Sequence, residues 1–244
     1  MSYKTVIRSA FQQLGLDIHR YVPQVPYNPP PSSIVSLLRK FEIDLVLDVG
    51  ANAGHFASGI RRGGYTGKIV SFEPLSQAHS ELLQSCSWDA LWEAYPRCAL
   101  GDFNGEVEIN IAGNSASSSI LPMLDAHSSA APTSVYIGKE KVPIGTLDSV
   151  VAPYLQGAQA PFLKIDTQGF EWQVLDGAKE SLPHIKGILI ELSLLPLYEG
   201  QHLWREVIDR LEAAGFTLWA FKPEFTDLNQ GRTLQVDGIF FRKN

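Results

Sequence analysis

The sequence predicts an α/β fold, in which helices cover both faces of a doubly wound, mostly parallel sheet of seven strands. From Asp44 onward, short apolar runs rich in β-branched residues alternate with segments of helical periodicity. Several of these runs are apolar almost throughout, which is typical of strands that are buried on both faces. The 244 residues are enough for one such domain with a large core.

The first 43 residues precede this alternation and are predicted as a helical extension followed by a linker. Apolar residues recur at helical spacing over residues 2–20, and prolines between Pro23 and Pro31 indicate an extended linker. Ser32-Ser33 is suited to cap a short helix over residues 34–40. We predict that the first helix packs on the domain, with a helix lying on a membrane surface as the alternative.

Seven segments are predicted as the strands of the sheet, namely residues 45–49, 68–72, 93–99, 161–166, 187–192, 216–221 and 237–242. The helices predicted between them cover residues 54–62, 75–85, 169–181 and 201–214. These elements assign residues 44–244 to the main domain and residues 1–43 to the extension.

Residues 102–148 interrupt the alternation and are predicted as an insertion after the third strand. Residues 106–111 and 135–144 alternate in the manner of edge strands. The segment between them, Ala112–Thr133, is rich in serine and is interpreted either as a surface loop or as a lid. His127 within it is expected to lie loosely at the surface.

Composition excludes several classes of function. The net charge of −6, without clusters of lysine and arginine, argues against a nucleic-acid partner. The two cysteines have no metal-ligand spacing, which favours free thiols in a cytoplasmic protein. Neither a signal peptide nor a membrane-spanning run of about 18 apolar residues is predicted.

A turn of small residues follows the first predicted strand. Asp48 precedes a turn that contains Gly50, Asn52 and Gly54, and a helix is predicted to begin at His55. Such a turn exposes backbone N–H groups and lets a ligand approach closely. We therefore predict that a ligand binds where this strand ends.

The second predicted strand ends at Phe72 and is followed by Glu73. A carboxylate at the tip of this strand is placed to accept hydrogen bonds from ribose hydroxyls. Together with the glycine turn, it predicts that the protein binds an adenosine-type cofactor.

The spacing of the glycines favours S-adenosylmethionine over a dinucleotide. The turn differs from both G-x-G-x-x-G and GxxxxGK[ST], and no Lys-Ser or Lys-Thr follows it. Asp48 would repel a pyrophosphate but would suit the cationic amino-acid part of S-adenosylmethionine. NAD, another nucleotide, or a turn that only packs a helix are the alternatives.

Seven blocks of sequence resemble the FkbM-type S-adenosylmethionine-dependent methyltransferases, in the order in which that family carries them. They are VLDVGANAGHF (46–56), SFEP (71–74), CALGDFNGEVEI (98–109), SASSSILPM (115–123), VPIGTLDSV (142–150), LKIDTQGFEWQVLDGA (163–178) and ILIELS (188–193). The resemblance implies a Rossmann-like methyltransferase fold and S-adenosylmethionine as the cofactor.

The resemblance also implies roles for single residues. It assigns the loop Asp48–Gly54 to the methionine part of the cofactor, Glu73 to its ribose and Asp102 to the adenine amine. A carboxylate can accept from the adenine N6–H, although Asp102 would also suit a simple turn. The family usually carries Glu where this chain has Gln168, which weakens a metal or proton-transfer role for that position.

Three residues are candidates for the catalytic base or for orienting the methyl acceptor. Asp166 ends the strand that is predicted to lie beside the first strand, and it is the leading candidate; a helix cap or loop hydrogen bond is its alternative. Glu191 lies at a neighbouring strand end and is second, and His55 opens the helix after the glycine turn. We do not expect a metal, although Asp166, Glu171, Glu191 and Asp237 carry oxygen atoms that would suit Mg²⁺.

The predicted function is O-methylation of a small molecule at a hydroxyl, with a sugar of a glycolipid or a secondary metabolite as the acceptor. A non-catalytic module that keeps the nucleoside site is one alternative. An NAD-dependent oxidoreductase is another, disfavoured by the missing third glycine. No nucleic acid is expected as a partner, and peripheral contact with a membrane would involve the N-terminal helix.

Overall fold

The computed structural model describes residues 33–242, so the helix predicted over residues 2–20 and the linker lie outside the described residues. Its strands are β1 (Leu45–Val49), β2 (Lys68–Phe72), β3 (Trp92–Ala94), β4 (Ala99–Gly101), β5 (Gly105–Ala112), β6 (Tyr136–Thr146), β7 (Pro161–Ile165), β8 (Gly187–Ser193), β9 (Phe216–Asp227) and β10 (Arg232–Arg242). Its helices are α1 (Ile34–Lys40), α2 (His55–Arg62), α3 (Ser76–Cys86), α4 (Asp125–Ala130), α5 (Leu147–Val150), α6 (Ala152–Leu155), α7 (Glu171–Asp176) and α8 (Trp204–Ala213).

The main sheet has seven strands in the order β3-β2-β1-β7-β8-β10-β9, which confirms the predicted doubly wound fold. The first five strands in this order pair in parallel, and β10 runs antiparallel to both of its neighbours. Val49 pairs with Phe72 on one side and with Ile165 on the other, so the carboxyl ends of β1, β2 and β7 are level. The strand order reverses beside β1, where ligands of such sheets bind.

Apolar side chains from both faces of the main sheet are buried, as the near-continuous apolar runs predicted. Leu45 and Leu47 of β1 belong to the core cluster on one face, and Val46 belongs to the cluster on the other face. Each fully buried side chain of this kind contributes about 1.5–3 kcal/mol. The two clusters therefore fix the register of β1 and with it the position of the turn that follows.

Helix α1 packs against the sheet through Val35, Leu37 and Leu38, which belong to the same core cluster as Val46. Ser33 caps it, as predicted, by accepting a hydrogen bond from the Ser36 N–H at 3.3 Å. The boundary between residues 43 and 44 stays a prediction. None of the helices within residues 33–242 is both long and apolar enough to span a membrane.

The prediction of one continuous strand over residues 93–99 was wrong. Trp92–Ala94 pairs with β2 in the main sheet, whereas Ala99–Gly101 pairs with β6 in a separate three-stranded sheet of order β4-β6-β5. Pro96 lies between the two pieces. A proline has no N–H for the ladder, so it ends the pairing and lets the chain change sheets.

The insertion is confirmed, and its two edge strands pair with each other as β5 and β6. The segment between them contains α4 and is joined to the loop after β8 by two backbone hydrogen bonds, from Leu124 to Leu197 (2.9 Å) and from Glu199 to Pro122 (2.8 Å). His127 of α4 is 2% exposed, so the surface position predicted for it was wrong. Its ring lies against Tyr198 and Phe225 because α4 packs on this loop and on β9.

Candidate active site

A cavity opens at the carboxyl ends of β1, β2 and β7. Its polar lining comes from the glycine turn, the end of β2, the insertion and the end of β7. These residues include Gly50, Asn52, Glu73, Ser115, Ser118, Ser119, Asp166, Thr167 and Gln168. Its apolar lining includes Phe72, Leu75, Ala99, Leu100, Ile109, Ile120 and Phe170.

Gly50 allows the turn to pass close to β7. Its φ is +74°, and a Cβ on it would lie 1.8 Å from the Asp166 carbonyl oxygen. Its N–H and that of Ala51 both donate to the Phe72 carbonyl, at 3.1 and 3.0 Å. The turn is thus hydrogen-bonded to the end of β2 and packs closely against the chain that follows β7.

The prediction that the turn presents free N–H groups to a ligand was wrong. The Asn52 N–H donates to Glu73 Oε2 at 2.8 Å, and the Ala53 N–H donates to Asn52 Oδ1 at 2.8 Å. The Gly54 N–H donates to the Ala51 carbonyl at 2.9 Å. With the N–H groups of Gly50 and Ala51 also bound, the turn is not an anion cradle.

Glu73 is buried at the end of β2 and lines the cavity. Its Oε2 accepts from the Asn52 N–H, and its Oε1 accepts from the Leu75 N–H at 2.9 Å. Burial raises the pKa of Glu73 to about 7, although these hydrogen bonds and the charge of Lys164 oppose the rise. Each carboxylate oxygen keeps further acceptor capacity for a ligand.

Asp48 does not line the cavity, and its predicted contact with the cationic part of a cofactor stays a prediction. It is fully buried, and its Oδ1 lies 3.2 Å from Lys164 Nζ. Its Oδ2 accepts a hydrogen bond from Ser71 Oγ at 3.2 Å. Burial lowers the pKa of Lys164, but the carboxylates of Asp48 and Asp166 outweigh this and keep it above its usual range. Asp48 therefore neutralises a buried lysine.

Asp166 follows β7 and lines the cavity with a side chain that is 37% exposed. Its Oδ2 lies 3.5 Å from Lys164 Nζ, and its Oδ1 accepts from Gln168 Nε2 at 2.9 Å. Lys164 also donates to the Gly50 carbonyl at 2.8 Å. One buried lysine thus contacts both the glycine turn and the carboxylate at the rim of the cavity.

Four other predicted site residues do not line the cavity. His55 and Asp102 are exposed, and Asp102 lies in the turn between β4 and β5, as its alternative interpretation predicted. Gly54 packs against Trp92, whose ring would lie 2.7 Å from a Cβ at this position. Glu191 is buried within β8, because its side chain points to Gln168 and Gln235. The roles predicted for these four residues stay predictions.

The model of the methyltransferase FkbM domain matches residues 48–218. The chain belongs to this family. The match covers β1 to β8 with the insertion and ends within β9. It therefore includes every residue described above as lining the cavity.

Several solved structures are similar to this chain at low identity. TehB from Haemophilus influenzae is 11% identical, over 86% of this chain and 61% of that chain, with a TM-score of 0.45. Magnesium protoporphyrin IX methyltransferase from Synechocystis PCC 6803, solved with bound S-adenosylmethionine, is 12% identical, over 100% and 98%, with a TM-score of 0.47. An rRNA methylase from Streptococcus thermophilus is 14% identical, over 90% and 100%, with a TM-score of 0.45.

The chain spans about three fifths of the length of the TehB structure. No curated protein matches the sequence.

Sequence reasoning missed three residues of this FkbM domain that hold the site together. Lys164 and Gln168 contact Asp166 directly, and Tyr198 donates to Gln168 Oε1 at 2.8 Å. Gln168 lies in one of the blocks that resemble the family, but there the sequence shows only that a neutral side chain replaces the usual glutamate. Tyr198 follows β8, and no local pattern marks it.

Several carboxyl groups lie close together behind Asp166. Burial, followed by the charges of Asp166, Glu171 and Asp237, raises the pKa of Glu191 well above its usual value. Within residues 33–242, no group of three or more His, Cys, Asp or Glu side chains is arranged to hold a metal ion. The amides of Gln168 and Gln235 donate to Glu191 Oε2, at 3.0 and 2.6 Å, and offset part of the repulsion among these carboxyl groups.

Replacing Glu171 by Gln is expected to flatten the pH dependence of stability. Burial raises the pKa of Glu171 to about 7, above its unfolded value near 4.5. The folded state therefore binds more protons in this range, and the stabilisation is full below pH 4.5 and lost as pH rises through 7. An amide oxygen can still accept from the Thr167 and Gly169 N–H groups, which lie 2.9 and 3.1 Å from Glu171 Oε1.

Urea unfolding at pH 5 and pH 8 measures this effect. We expect the stability of Glu171→Gln, relative to that of the unmodified chain, to rise by roughly 2–3 kcal/mol between pH 5 and pH 8. Glu106→Gln, at an exposed position, is the control and should keep the original slope. Equal pH slopes for Glu171→Gln and the unmodified chain would contradict the prediction.

Proposed function

We propose that this FkbM domain is an S-adenosylmethionine-dependent O-methyltransferase that acts on a hydroxyl of a small molecule. The observation that carries the proposal is a single cavity with a buried carboxylate, Glu73, and a second carboxylate, Asp166, in its lining. The first suits the ribose of the cofactor, and the second suits the proton of the acceptor.

The residues present fit S-adenosylmethionine. Phe72, Leu75 and Leu100 offer an apolar wall for an adenine ring, beside the carboxylate of Glu73. The described residues that line the cavity include no Lys, Arg or His, and the N–H groups of the turn are already bound. A pyrophosphate would therefore find neither a cation nor an anion cradle, which disfavours NAD.

The mechanism requires positioning of the acceptor and removal of its proton. When bound, the cofactor supplies an electrophilic methyl group, so the protein needs no covalent nucleophile. Asp166 would accept the proton of the acceptor hydroxyl, while a cofactor held beside Glu73 would supply the methyl group to the acceptor oxygen. A general base of this kind contributes roughly 10²–10⁴-fold, and positioning contributes several kcal/mol more.

The lining from the insertion supports a hydroxyl-rich acceptor. The hydroxyls of Ser115 and Ser118 line the cavity and accept hydrogen bonds from Asn52 Nδ2 and the Ala112 N–H, at 3.1 and 3.0 Å. Their own O–H groups suit the oxygens of a polyol. A sugar of a glycolipid or a hydroxylated secondary metabolite is the acceptor class that we propose. A cytoplasmic location is proposed from Cys86 and Cys98, which are both free thiols.

S-Adenosylmethionine and S-adenosylhomocysteine are expected to raise the melting temperature, and NAD is not. A ligand that binds only the folded state stabilises it by mass action, by about 2.7 kcal/mol at one hundred times its Kd. Thermal-shift measurements followed by calorimetric titration test this. Binding of NAD without a response to either sulfur nucleoside would contradict the cofactor assignment.

Methyl transfer itself is tested with cofactor labelled in the methyl group, offered with glycolipid and secondary-metabolite fractions. The proposal is supported if the labelled methyl group is found on an acceptor oxygen and stays there after treatment with base, as a methyl ether does. Cofactor binding without transfer to any fraction would favour the non-catalytic nucleoside-binding module instead.

A further inference from the structure

The side-chain amide of Gln168 lies between two carboxyl groups. One belongs to Asp166, which follows β7, and the other belongs to Glu191, within β8. Gln168 Nε2 donates to Asp166 Oδ1 at 2.9 Å and to Glu191 Oε2 at 3.0 Å. Gln168 Oε1 accepts from the Tyr198 hydroxyl at 2.8 Å. A flipped amide would point its oxygen at both carboxyl groups, so this network fixes the amide in one orientation.

The amide separates these groups because it is neutral and carries two donors. Glu191 Oε2 also accepts from Gln235 Nε2 at 2.6 Å, so its carboxyl group is held from both sides. A carboxylate in place of the amide would add charge at hydrogen-bond distance from Asp166 and would offer no N–H. Gln168 therefore donates to Asp166 Oδ1, which an ionised carboxylate in its place could not do.

Tyr198 determines which way the amide faces, and it is itself held by the insertion. It is completely buried, and its hydroxyl is also 3.2 Å from the Ser117 carbonyl oxygen. Its ring lies 5.2 Å from the ring of His127 on α4. On its other side it packs against Gly169, where a Cβ would lie 3.0 Å from the tyrosine side chain.

The main chain of Gln168 is held by the insertion as well. Its φ is +53°, in the left-handed region that a residue other than glycine adopts at some cost. Ser119 Oγ, from the insertion, donates to its carbonyl oxygen at 2.6 Å. Both the backbone and the side chain of Gln168 are thus held by groups that belong to the insertion or pack against it.

We infer that Gln168 and Tyr198 are positioning residues, through which the docked insertion holds the Asp166 carboxylate toward the methyl acceptor and away from Glu191. Tyr198 orients the amide, and the amide fixes Asp166 Oδ1, so that Oδ2, which lies 3.5 Å from Lys164 Nζ, is the oxygen turned to the acceptor's proton. This inference rests on the proposed function, in which Asp166 takes that proton.

Two single variants and their combination test the inference. Tyr198→Phe removes one hydroxyl, and Gln168→Met removes the amide at similar volume. Tyr136→Phe is the matched control, because the Tyr136 hydroxyl donates to the Leu121 carbonyl of the same insertion at 2.7 Å and is not bonded to Gln168. Melting temperature and cofactor Kd are measured for each variant, and kcat and KM are measured with the acceptor found by the transfer screen.

We expect kcat to fall about tenfold in Tyr198→Phe and in Gln168→Met, while the cofactor Kd and the acceptor KM of Tyr198→Phe, whose side chain does not line the cavity, change less than threefold. The double variant should be no slower than the slower single variant, since the two residues act in one chain. Tyr136→Phe should keep kcat within twofold. Unchanged kcat in Tyr198→Phe, or independent effects that multiply in the double variant, would overturn the inference.

The side-chain amide signals of ¹⁵N-labelled protein give a second readout that needs no acceptor. The Gln168 signal is assigned by its loss in Gln168→Met, and it should shift in Tyr198→Phe but not in Tyr136→Phe. An unmoved signal overturns the inference whatever the activity. Absence of methyl transfer by the unmodified chain with every acceptor overturns the proposed function, whereas an active unmodified chain with unaffected variants overturns the inference alone.

Discussion

Asp166→Asn is expected to reduce kcat for methyl transfer by roughly 10²-fold or more, with the fold retained and cofactor affinity within a few fold. Asparagine keeps an oxygen that can accept from Gln168 Nε2, which now lies 2.9 Å from Asp166 Oδ1. It cannot take a proton from the acceptor, because an amide is not a base in this range. Gln168 is the adjacent polar side chain in the cavity lining and cannot replace it for the same reason.

Single-turnover transfer of labelled methyl groups measures the effect, since it separates the chemical step from product release. Glu106→Gln is the control, because this exposed carboxyl group does not line the cavity and is remote from the hydrogen bonds of Asp166. We expect it to change kcat by less than about threefold. Near-normal turnover in Asp166→Asn with the native acceptor would remove Asp166 from the role of base.

The sequence predicted the main sheet well because apolar patterning and β-branched composition are local signals that tertiary packing here reinforces. It failed for residues 93–99, where the apolar pattern continues although the hydrogen-bonded ladder stops at Pro96. The proline was visible in the sequence and is the physical reason for the break. Which sheet the chain would join next depends on pairing between β4 and β6, across residues 99–146, and no local pattern encodes such a pairing.

The candidate site was predictable where it depends on strand ends. Gly50, Glu73 and Asp166 line one cavity because the ends of β1, β2 and β7 are level. No sequence pattern indicated that the buried side chain of Asp48 lies beside Lys164. Those two residues are register partners on adjacent strands, so their pairing follows from the register of β1 and β7, which the sequence alone does not define.

The contacts made by the insertion could not be predicted from its sequence. A serine-rich segment without long apolar runs resembles a surface loop, yet Ser117, Ser119 and His127 are buried. They are buried because the loop after β8, with Leu197 and Tyr198, covers them with apolar surface. The partner in this packing lies far along the chain, so composition within the segment gives no sign of it.

Binding of S-adenosylhomocysteine is expected to tighten by about tenfold between pH 6 and pH 8, because a group with a pKa near 7 is about one tenth ionised at the lower pH and about nine tenths at the higher. Burial raises the pKa of Glu73 to about 7, against the opposing effect of its hydrogen bonds to the Leu75 and Asn52 N–H groups. The ionised carboxylate is the stronger acceptor for two ribose hydroxyls. Glu73→Gln should bind weakly at both pH values and lose this dependence.

Glu73→Ala should weaken binding by at least tenfold at pH 8, since each hydrogen bond to a charged group contributes about 1.5–3 kcal/mol. Calorimetric titration at the two pH values measures both effects, and the melting temperature of each variant shows that the fold persists. Asp102→Asn is the control, because this exposed carboxylate lies in a turn and does not line the cavity; its Kd should stay within twofold. A pH-independent Kd for the unmodified chain would contradict the role of Glu73. Weaker binding in Asp102→Asn, with Glu73→Ala unaffected, would instead support the adenine contact that the sequence predicted for Asp102.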